Sequence, residues 1–600
     1  MQALHKLKRD LDFLLYEVLD LEDLFRRPRF QEHDRGSVGV VLETAQKIAL
    51  ERFANHNAQA DAEEPQFDGE KVVLIPETQA AWDAVAGAGF IAASADEVWG
   101  GIQLPDVVAR AATCYFSVAN ISSAGYPFLT VGAANLIASF ATQEHKERYL
   151  EAMYQGRFSG TMALTEPAQG SALADISTTA YLQEDGSYHL KGQKIYISAG
   201  DHELSENIIH MVLAKIEGAP VGVKGISLFI CPKYLVNDDG SIGERNDVSL
   251  AGLLHKMGYR NTSSTVLNFG EQGHCKAFLV GEPHQGLAYM FQMMNEARIG
   301  VGLGAASLGY AGYVYALDYA RERRQGRLPS NKDPESPQVA IIEHADVRRM
   351  LLAQKSYVEG SLALCFFASR LVDDEKTASD PVERQRAAQL LDFLTPIVKS
   401  WPSKYALRAN ELAIQVLGGA GYIREYPVEQ YYSDNRLNAI HEGTEGIQAL
   451  DLLGRKMTAS RGALYQSFVT AVGQTLDEAE RGTFARWALA LREALALHQS
   501  VSQALLAAMA KDPDLALANA SEFLDFSGRI ALAWLHLKLA HRAQEALADA
   551  ALGKEQQDFY RGKIAAARYH FEWELPVTHS QATLLQSLNR AAFDMDKDFF

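Results

Sequence analysis

Of the carboxylates in this 600-residue chain, Glu442 has the most suggestive surroundings, Ala439-Ile440-His441-Glu442-Gly443-Thr444-Glu445-Gly446-Ile447-Gln448. It lies at a Gly-containing turn, after the charged run Ser433-Asp434-Asn435-Arg436 and before an amphipathic, helix-like run from Ile447 to Leu453. A carboxylate placed there can meet a ligand, although a Glu near a helix start also simply favours the local dipole. The run His441-Glu442-Gly443-Thr444-Glu445 lacks the second histidine of H-E-x-x-H, so a zinc-protease site is excluded.

Two other stretches carry groups suited to a ligand. Met162-Ala163-Leu164-Thr165-Glu166-Pro167-Ala168-Gln169-Gly170-Ser171 reads as a polar loop leaving an apolar strand. Its backbone N–H groups near Gly170 and the hydroxyls of Thr165 and Ser171 suit a flavin edge or a phosphate, or form an ordinary Gly turn. In Lys194-Ile195-Tyr196-Ile197-Ser198-Ala199-Gly200, strand alternation places Tyr196 and Ser198 on one face, an aromatic and a hydroxyl that could meet a planar ring.

Composition narrows the class. A 48% hydrophobic and 22% charged chain of this length is an ordinary globular protein of three or four domains. The net charge of −18 argues against a phosphate-backbone partner, so no nucleic acid is expected. Cys114, Cys231, Cys275 and Cys365 are scattered without C-x-x-C spacing, which excludes a disulfide framework and a thiolate metal site; no metal is expected. The N-terminus has no signal-peptide apolar core, and a cytoplasmic location is the expectation. Ile299 to Leu317 carries no charge and is long enough to span a bilayer, but its Gly, Ala, Ser and Tyr content suits a close-packed helix inside a bundle. Its Gly302-x-Gly304-x-x-Ser307 follows no strand and fails as a dinucleotide loop.

The elements that position these groups follow from periodicity. Helical spacing covers Asp10 to Phe25, Ser37 to Phe53, Glu77 to Ala86, Leu104 to Ser139 with breaks near Pro105 and Gly125-Tyr126-Pro127, and Gln143 to Gln155. Asp61 to Val73 reads as a loop. Alternation marks strands at Ile176–Leu182 and from Tyr188, joined by the turn Glu184-Asp185-Gly186-Ser187, and again at Ile208–Ala214, Gly225–Cys231 and Ser264–Phe269. Helices resume at Gly286, interrupted by loops at Gly326 to Pro337 and Asp373 to Asp380, and continue beyond Thr458. The expected fold is α+β and mainly α: a helical N-terminal domain (1–158), a central β domain (159–282), a four-helix-bundle domain (283–457) and an extra C-terminal helical domain (458–600).

The motifs, taken in order, resemble the acyl-CoA dehydrogenase family. They are Glu97-Val98-Trp99-Gly100-Gly101 with Leu104-Pro105, Leu164-Thr165-Glu166-Pro167 with Gly170-Ser171, and Lys194-Ile195-Tyr196-Ile197-Ser198. His255-Lys256-Met257-Gly258, Arg321-Glu322-Arg323-Arg324-Gln325, Gln415-Val416-Leu417-Gly418-Gly419-Ala420-Gly421 and Glu442-Gly443-Thr444 with Ile447-Gln448 complete the set. The leading helix and the tail are similar to a long bacterial branch that includes 3-methylmercaptopropionyl-CoA dehydrogenases.

The resemblance implies FAD held at the subunit interface of a homo-oligomer, expected to be a dimer. By position, Leu164, Thr165 and Ser198 would meet the flavin ring with Tyr196 beside it, and Gly170 and Ser171 would lie near pyrophosphate or the CoA arm. Arg323, Gln325, Gln415 and Gly419 would reach a neighbouring subunit's FAD, and Thr444 the ADP part. Arg298, Ser171, His441 and Gly443 would face substrate. Glu442 matches the catalytic base, which would take the α proton of an acyl-CoA thioester while the β hydrogen leaves as hydride to flavin N5. The implied product is a trans-2-enoyl-CoA, in β-oxidation of fatty acids of medium to long straight chain, with an electron-transfer flavoprotein as acceptor. A 3-methylthiopropanoyl-CoA dehydrogenase or an acyl-CoA oxidase is the near alternative, and a non-catalytic flavin-bearing DNA-associated protein the remote one. The chain departs from the family pattern at His441 (often Tyr), Tyr196 (often Trp) and Gly446 (a Gln in some members). Ala297 occupies the position that carries the base in some branches.

Overall fold

The computed structural model describes residues 2–331 and 333–600, without the side chains of residues 292–295. The chain folds as two compact units, one of Arg29–Ala297 and one of Gln2–Pro28 together with Arg298–Phe600.

The first unit begins with helices. Asp34 opens Arg35–Ile48 as a capping residue, its carboxylate accepting from the Ser37 N–H at 2.7 Å. Helical structure continues through Ala49–Phe53, then Pro76–Gly87, Asp106–Phe140 and Gln143–Tyr154. The stretch expected to be a loop holds the small ladder Gln66–Phe67 with Val72–Val73. In Asp106–Phe140 the interruption falls at Asn120, not at Pro127. Asn120 is extended (φ −165°, ψ 94°) and its side chain accepts from the Ser123 N–H at 3.1 Å, so it caps a second helical segment that tolerates Pro127.

The sheet follows, eight strands, seven of them in the order Val248–Leu253, Ser264–Phe269, Tyr188–Ser198, Cys275–Leu279, Ile226–Pro232, Asn207–Ile216 and Phe158–Ala163, with the eighth, Thr179–Leu182, pairing both Tyr188–Ser198 and Asn207–Ile216. Val212, Phe229, Leu190 and Phe269 are among the residues that fill its core. Cys275–Leu279 and Val248–Leu253 are strands that alternation alone does not single out.

Alternation also fails inside Tyr188–Ser198. Ser264 pairs with Ser198 and Thr265 with Ile197, but Leu267 pairs with Lys194, so one extra residue bulges from this strand. Tyr196 sits in the bulge at φ 60°, and the buried positions change phase from 188, 190 and 194 to 197. The i, i+2 rule that placed Tyr196 and Ser198 on one face therefore does not run through unbroken pleat.

The second unit is built on long helices, Gly286–Glu322 (its first residues in the first unit), Ala345–Thr377 and Pro381–Leu417, followed by shorter ones to residue 600. Glycine in the uncharged run has a packing reason: a Cβ at Gly302 would lie 2.2 Å from the Val398 carbonyl oxygen, so the helices approach there only without a side chain. Among the described residues no helix is long and apolar enough to cross a membrane. The acidic stretch from Asp373, expected to be a loop, stays helical to Thr377 because Arg27 and Arg370 pair with Asp374 at 2.7 and 3.0 Å. The N-terminal segment belongs to this unit through Asp10, which accepts from Tyr310 at 2.6 Å and pairs with Lys563.

Candidate active site

In the first unit the loop after Phe158–Ala163 is organised by a buried ion pair. Glu166 Oε1 accepts from Lys194 Nζ at 2.9 Å and from Thr178 N and Oγ1 at 2.9 and 2.6 Å. Its Oε2 accepts from Ser177 N and Oγ at 2.6 and 2.7 Å. Burial pushes the Glu166 carboxyl up, but Lys194 and these donors outweigh it and hold it at about 2. Lys194 Nζ also donates to the Leu164 carbonyl at 2.9 Å, and Ile195 N to the Thr165 carbonyl at 3.0 Å. The pair thus ties the Leu164-Thr165 edge to the strand that carries Tyr196 and Ser198. Sequence reasoning includes both residues in motifs but gives neither a role; the available signal is an acid and a lysine inside two otherwise apolar strand ends.

The groups left over are those a ring or phosphate would use. The hydroxyls of Thr165, Ser171 and Ser198 have no hydrogen-bond partner among the described residues, and Tyr196 is 66% exposed. A Cβ at Gly170 would meet nothing within 4 Å. These residues fit a flavin: an exposed aromatic, open hydroxyl donors and a bare glycine along one strand-and-loop edge.

A cavity of about 110 Å³ lies in the same unit. One stripe of Asp106–Phe140 (Ala109, Arg110, Thr113, Phe116) and a second (Pro127, Phe128, Val131) form much of its wall, with Met162 and Ala297 also lining it. Arg110 Nε and Asp106 Oδ2 are 3.4 Å apart on this wall, with little exposure.

In the second unit, Glu442 stands on a turn fixed from several sides. A chain of buried amides holds the segment before it: Asn410 donates to the Leu308 carbonyl (2.9 Å), Asn435 to Asn410 (2.7 Å), Asn438 to Asn435 (3.0 Å), and His441 Nε2 meets Asn438 Oδ1 at 3.0 Å. Burial, with Lys399 nearby, pushes His441 down to about 3, so its ring is neutral. Glu442 is left-handed at φ 52° and Gly443 follows at 85°. At φ 85° a side chain would be strained, and a Cβ would also press to 2.6 Å on the movable Gln448 Nε2, so the backbone conformation favours glycine here. Gln448 donates to the Glu442 and Gly443 carbonyls at 3.1 and 3.3 Å, and Thr444 caps Glu445–Leu450.

The Glu442 carboxylate itself has no hydrogen bond or ion pair among the described residues. Burial raises its pKa above the usual carboxylate range, opposed by the charges of Lys399 and Arg298. Arg298 is 1% exposed and paired with Asp451 at 2.8 Å, while its Nε has no partner among the described residues. A carboxylate with an elevated pKa and no fixed partner is what a general base requires. Arg323, Gln325, Gln415 and Gly419 are exposed, with Arg323 donating to Gln325 at 3.3 Å and open space around Gly419.

Family models agree with this architecture in sequence order. The acyl-CoA dehydrogenase N-terminal domain matches residues 40–157, the middle domain 161–271 and the C-terminal domain 284–457. An acetyl-CoA dehydrogenase C-terminal-like domain matches residues 468–596. The 3-methylmercaptopropionyl-CoA dehydrogenase of Ruegeria pomeroyi is 36% identical over 93% of this chain and 94% of its own length. A butyryl-CoA dehydrogenase of Syntrophomonas wolfei is 34% identical over 99% and 98%. A Bacillus anthracis acyl-CoA dehydrogenase solved with FAD superposes with a TM-score of 0.72 at 20% identity, covering 92% of each chain. The chain belongs to the acyl-CoA dehydrogenase family. It is accordingly an oxidoreductase of the class that acts on carbon–carbon single bonds.

Proposed function

We propose that the chain dehydrogenates an acyl-CoA thioester to its trans-2-enoyl-CoA, with Glu442 as the base that removes the α proton. The observation that carries this reading is the Glu442 carboxylate, half-buried, made more basic by desolvation, and bound to nothing among the described residues. The backbone N–H of Glu442 would serve as a donor for the thioester oxygen, a kind of contact worth about 3–4 kcal/mol at comparable oxyanion sites. Leu164, Thr165, Gly170, Ser171, Tyr196 and Ser198 would hold FAD on one unit. By the family pattern Thr444 would meet the ADP part of the cofactor, and Arg323, Gln325, Gln415 and Gly419 would reach the FAD of a second copy. When bound, FAD supplies the acceptor for the hydride that leaves the β carbon. Electrons would then pass to an electron-transfer flavoprotein, and the working species would be a homodimer. Holoprotein that turns over acyl-CoAs with such an acceptor supports the reading; a chain that takes up no FAD on reconstitution rejects it.

Substrate size follows from the cavity beside Met162, two residues before Leu164. Its volume of about 110 Å³ is below the roughly 150 Å³ of an apolar cavity that admits benzene. The cavity is partly open, so a short acyl chain fits within its walls, while the medium to long chain expected from the sequence would extend past them. Butanoyl-CoA and 3-methylthiopropanoyl-CoA should be turned over with kcat/KM at least about tenfold above hexadecanoyl-CoA, one methylene counting for about 1–3 kcal/mol in a shaped pocket. Arg110→Ala should move the optimum to longer chains, because it removes bulk and charge from the wall. A wild-type optimum at hexadecanoyl-CoA rejects the size argument and leaves the dehydrogenase reading intact.

A further inference from the structure

Lys399 lies in the helix Pro381–Leu417 and is 0% exposed. Among the described residues its ammonium makes one hydrogen bond, to the Gly443 carbonyl at 2.7 Å, and no carboxylate is bonded to it. Taking a lysine fully out of water without an acid partner is unfavourable, and such groups persist where they do something else. What it touches is the turn that carries the base. A non-glycine residue in the left-handed region, as Glu442 is, persists only where its surroundings over-determine it. Lys399 and Gln448 are the two side chains, among the described residues, that grip the carbonyls of this turn.

We infer that Lys399 is the positioning residue of the catalytic turn: its bond to the Gly443 carbonyl fixes where Glu442 points and sets a positive charge beside the base. This rests on Glu442 being the base. The other groups around the turn do not supply the same service. Arg298 also favours the ionised form, but its charge is matched by Asp451 at 2.8 Å. His441 is neutral and Glu445 adds negative charge, while Gln448 carries none. Burial, opposed by Glu442, brings Lys399 down to about 7, so its charge is itself held in place by the carboxylate it supports.

The test compares Lys399→Met and Lys399→Arg holoenzymes with wild type, each checked for flavin content and thermal midpoint. Lys399→Met should keep KM within about threefold, lose at least about tenfold in kcat, and show the acid limb of its kcat–pH profile moved to higher pH. Lys399→Arg, which retains the charge, should recover most of kcat and return the limb toward its wild-type position. A Lys399→Met enzyme with wild-type kcat and an unmoved limb overturns the inference. So does a loss that Lys399→Arg does not repair although both variants keep their flavin. Should Lys399→Met give no holoenzyme, Lys399→Gln keeps a donor and removes only the charge; an unmoved acid limb there also overturns it. An active Glu442→Gln enzyme would instead reject the base on which the inference stands.

Discussion

Glu442→Gln holoenzyme is expected to stay yellow and folded and to lose about a hundred- to ten-thousand-fold in kcat, the range that a positioned general base contributes. The amide is isosteric with the acid, so the turn at φ 52° and the bonds from Gln448 to the two carbonyls should persist. Only the proton acceptor is removed. Because the half-buried carboxylate has no bonded partner among the described residues, the thermal midpoint should hold. In the wild type the base acts when ionised, so kcat should climb as pH rises through the Glu442 pKa. Burial sets that limb above the ordinary carboxylate range. Steady-state assays across pH, with flavin content measured in parallel, check both points. A limb at the ordinary carboxylate value would contradict the burial argument.

The second large effect is structural. Glu166→Gln should destabilise the protein by about 3–5 kcal/mol, the usual consequence of removing one partner from a buried ion pair. Lys194 is 0% exposed and burial already brings it down to about 8, so without the Glu166 charge it must either give up its proton or stay charged with only the Leu164 carbonyl and an amide oxygen to meet it. The Leu164-Thr165 edge would then lose its anchor, and flavin affinity should fall with stability. Adding Lys194→Met should restore part of the stability, since the coupling and not the individual side chain is at stake. The pH dependence follows from Glu166, whose folded pKa of about 2 lies below the ordinary value of 4.5. Its contribution is fully present above about 4.5 and is lost as pH falls toward 2. Denaturant titrations of the wild type and the variants at neutral and acid pH measure this directly. Equal stability of Glu166→Gln and wild type at neutral pH would show that the pair does not hold the loop.

The fold is legible where one period dominates. Long helical runs and the turn Glu184-Asp185-Gly186-Ser187 are local, and the strands Ser264–Phe269 and Asn207–Ile216 follow from β-branched and apolar runs. The rest depends on residues far apart in the chain. No local pattern marks the bulge at Tyr196, because the extra residue is defined only against Thr265 and Leu267 on another strand. The acidic end of Ala345–Thr377 stays helical because Arg27, some 350 positions earlier, reaches Asp374 and Thr377. At the site, Glu442 and its glycine can be named from the motif, because Gly443 must adopt a conformation that other residues avoid. Lys399 cannot. Its neighbours in sequence are mostly apolar, and its partner carbonyl lies 44 residues away. The sequence signal is a lone lysine in an apolar helix stretch, which reads equally as a side chain reaching for solvent.

The central claim, that Glu442 takes the α proton, is tested most directly by one anaerobic turnover of holoenzyme with butanoyl-CoA and with its α-deuterated form, following loss of the flavin's visible colour. Wild type should bleach more slowly with the deuterated substrate, and Glu442→Gln should remain yellow with both. A Glu442→Gln enzyme that bleaches at the wild-type rate, with the same isotope effect, would place the proton on another residue.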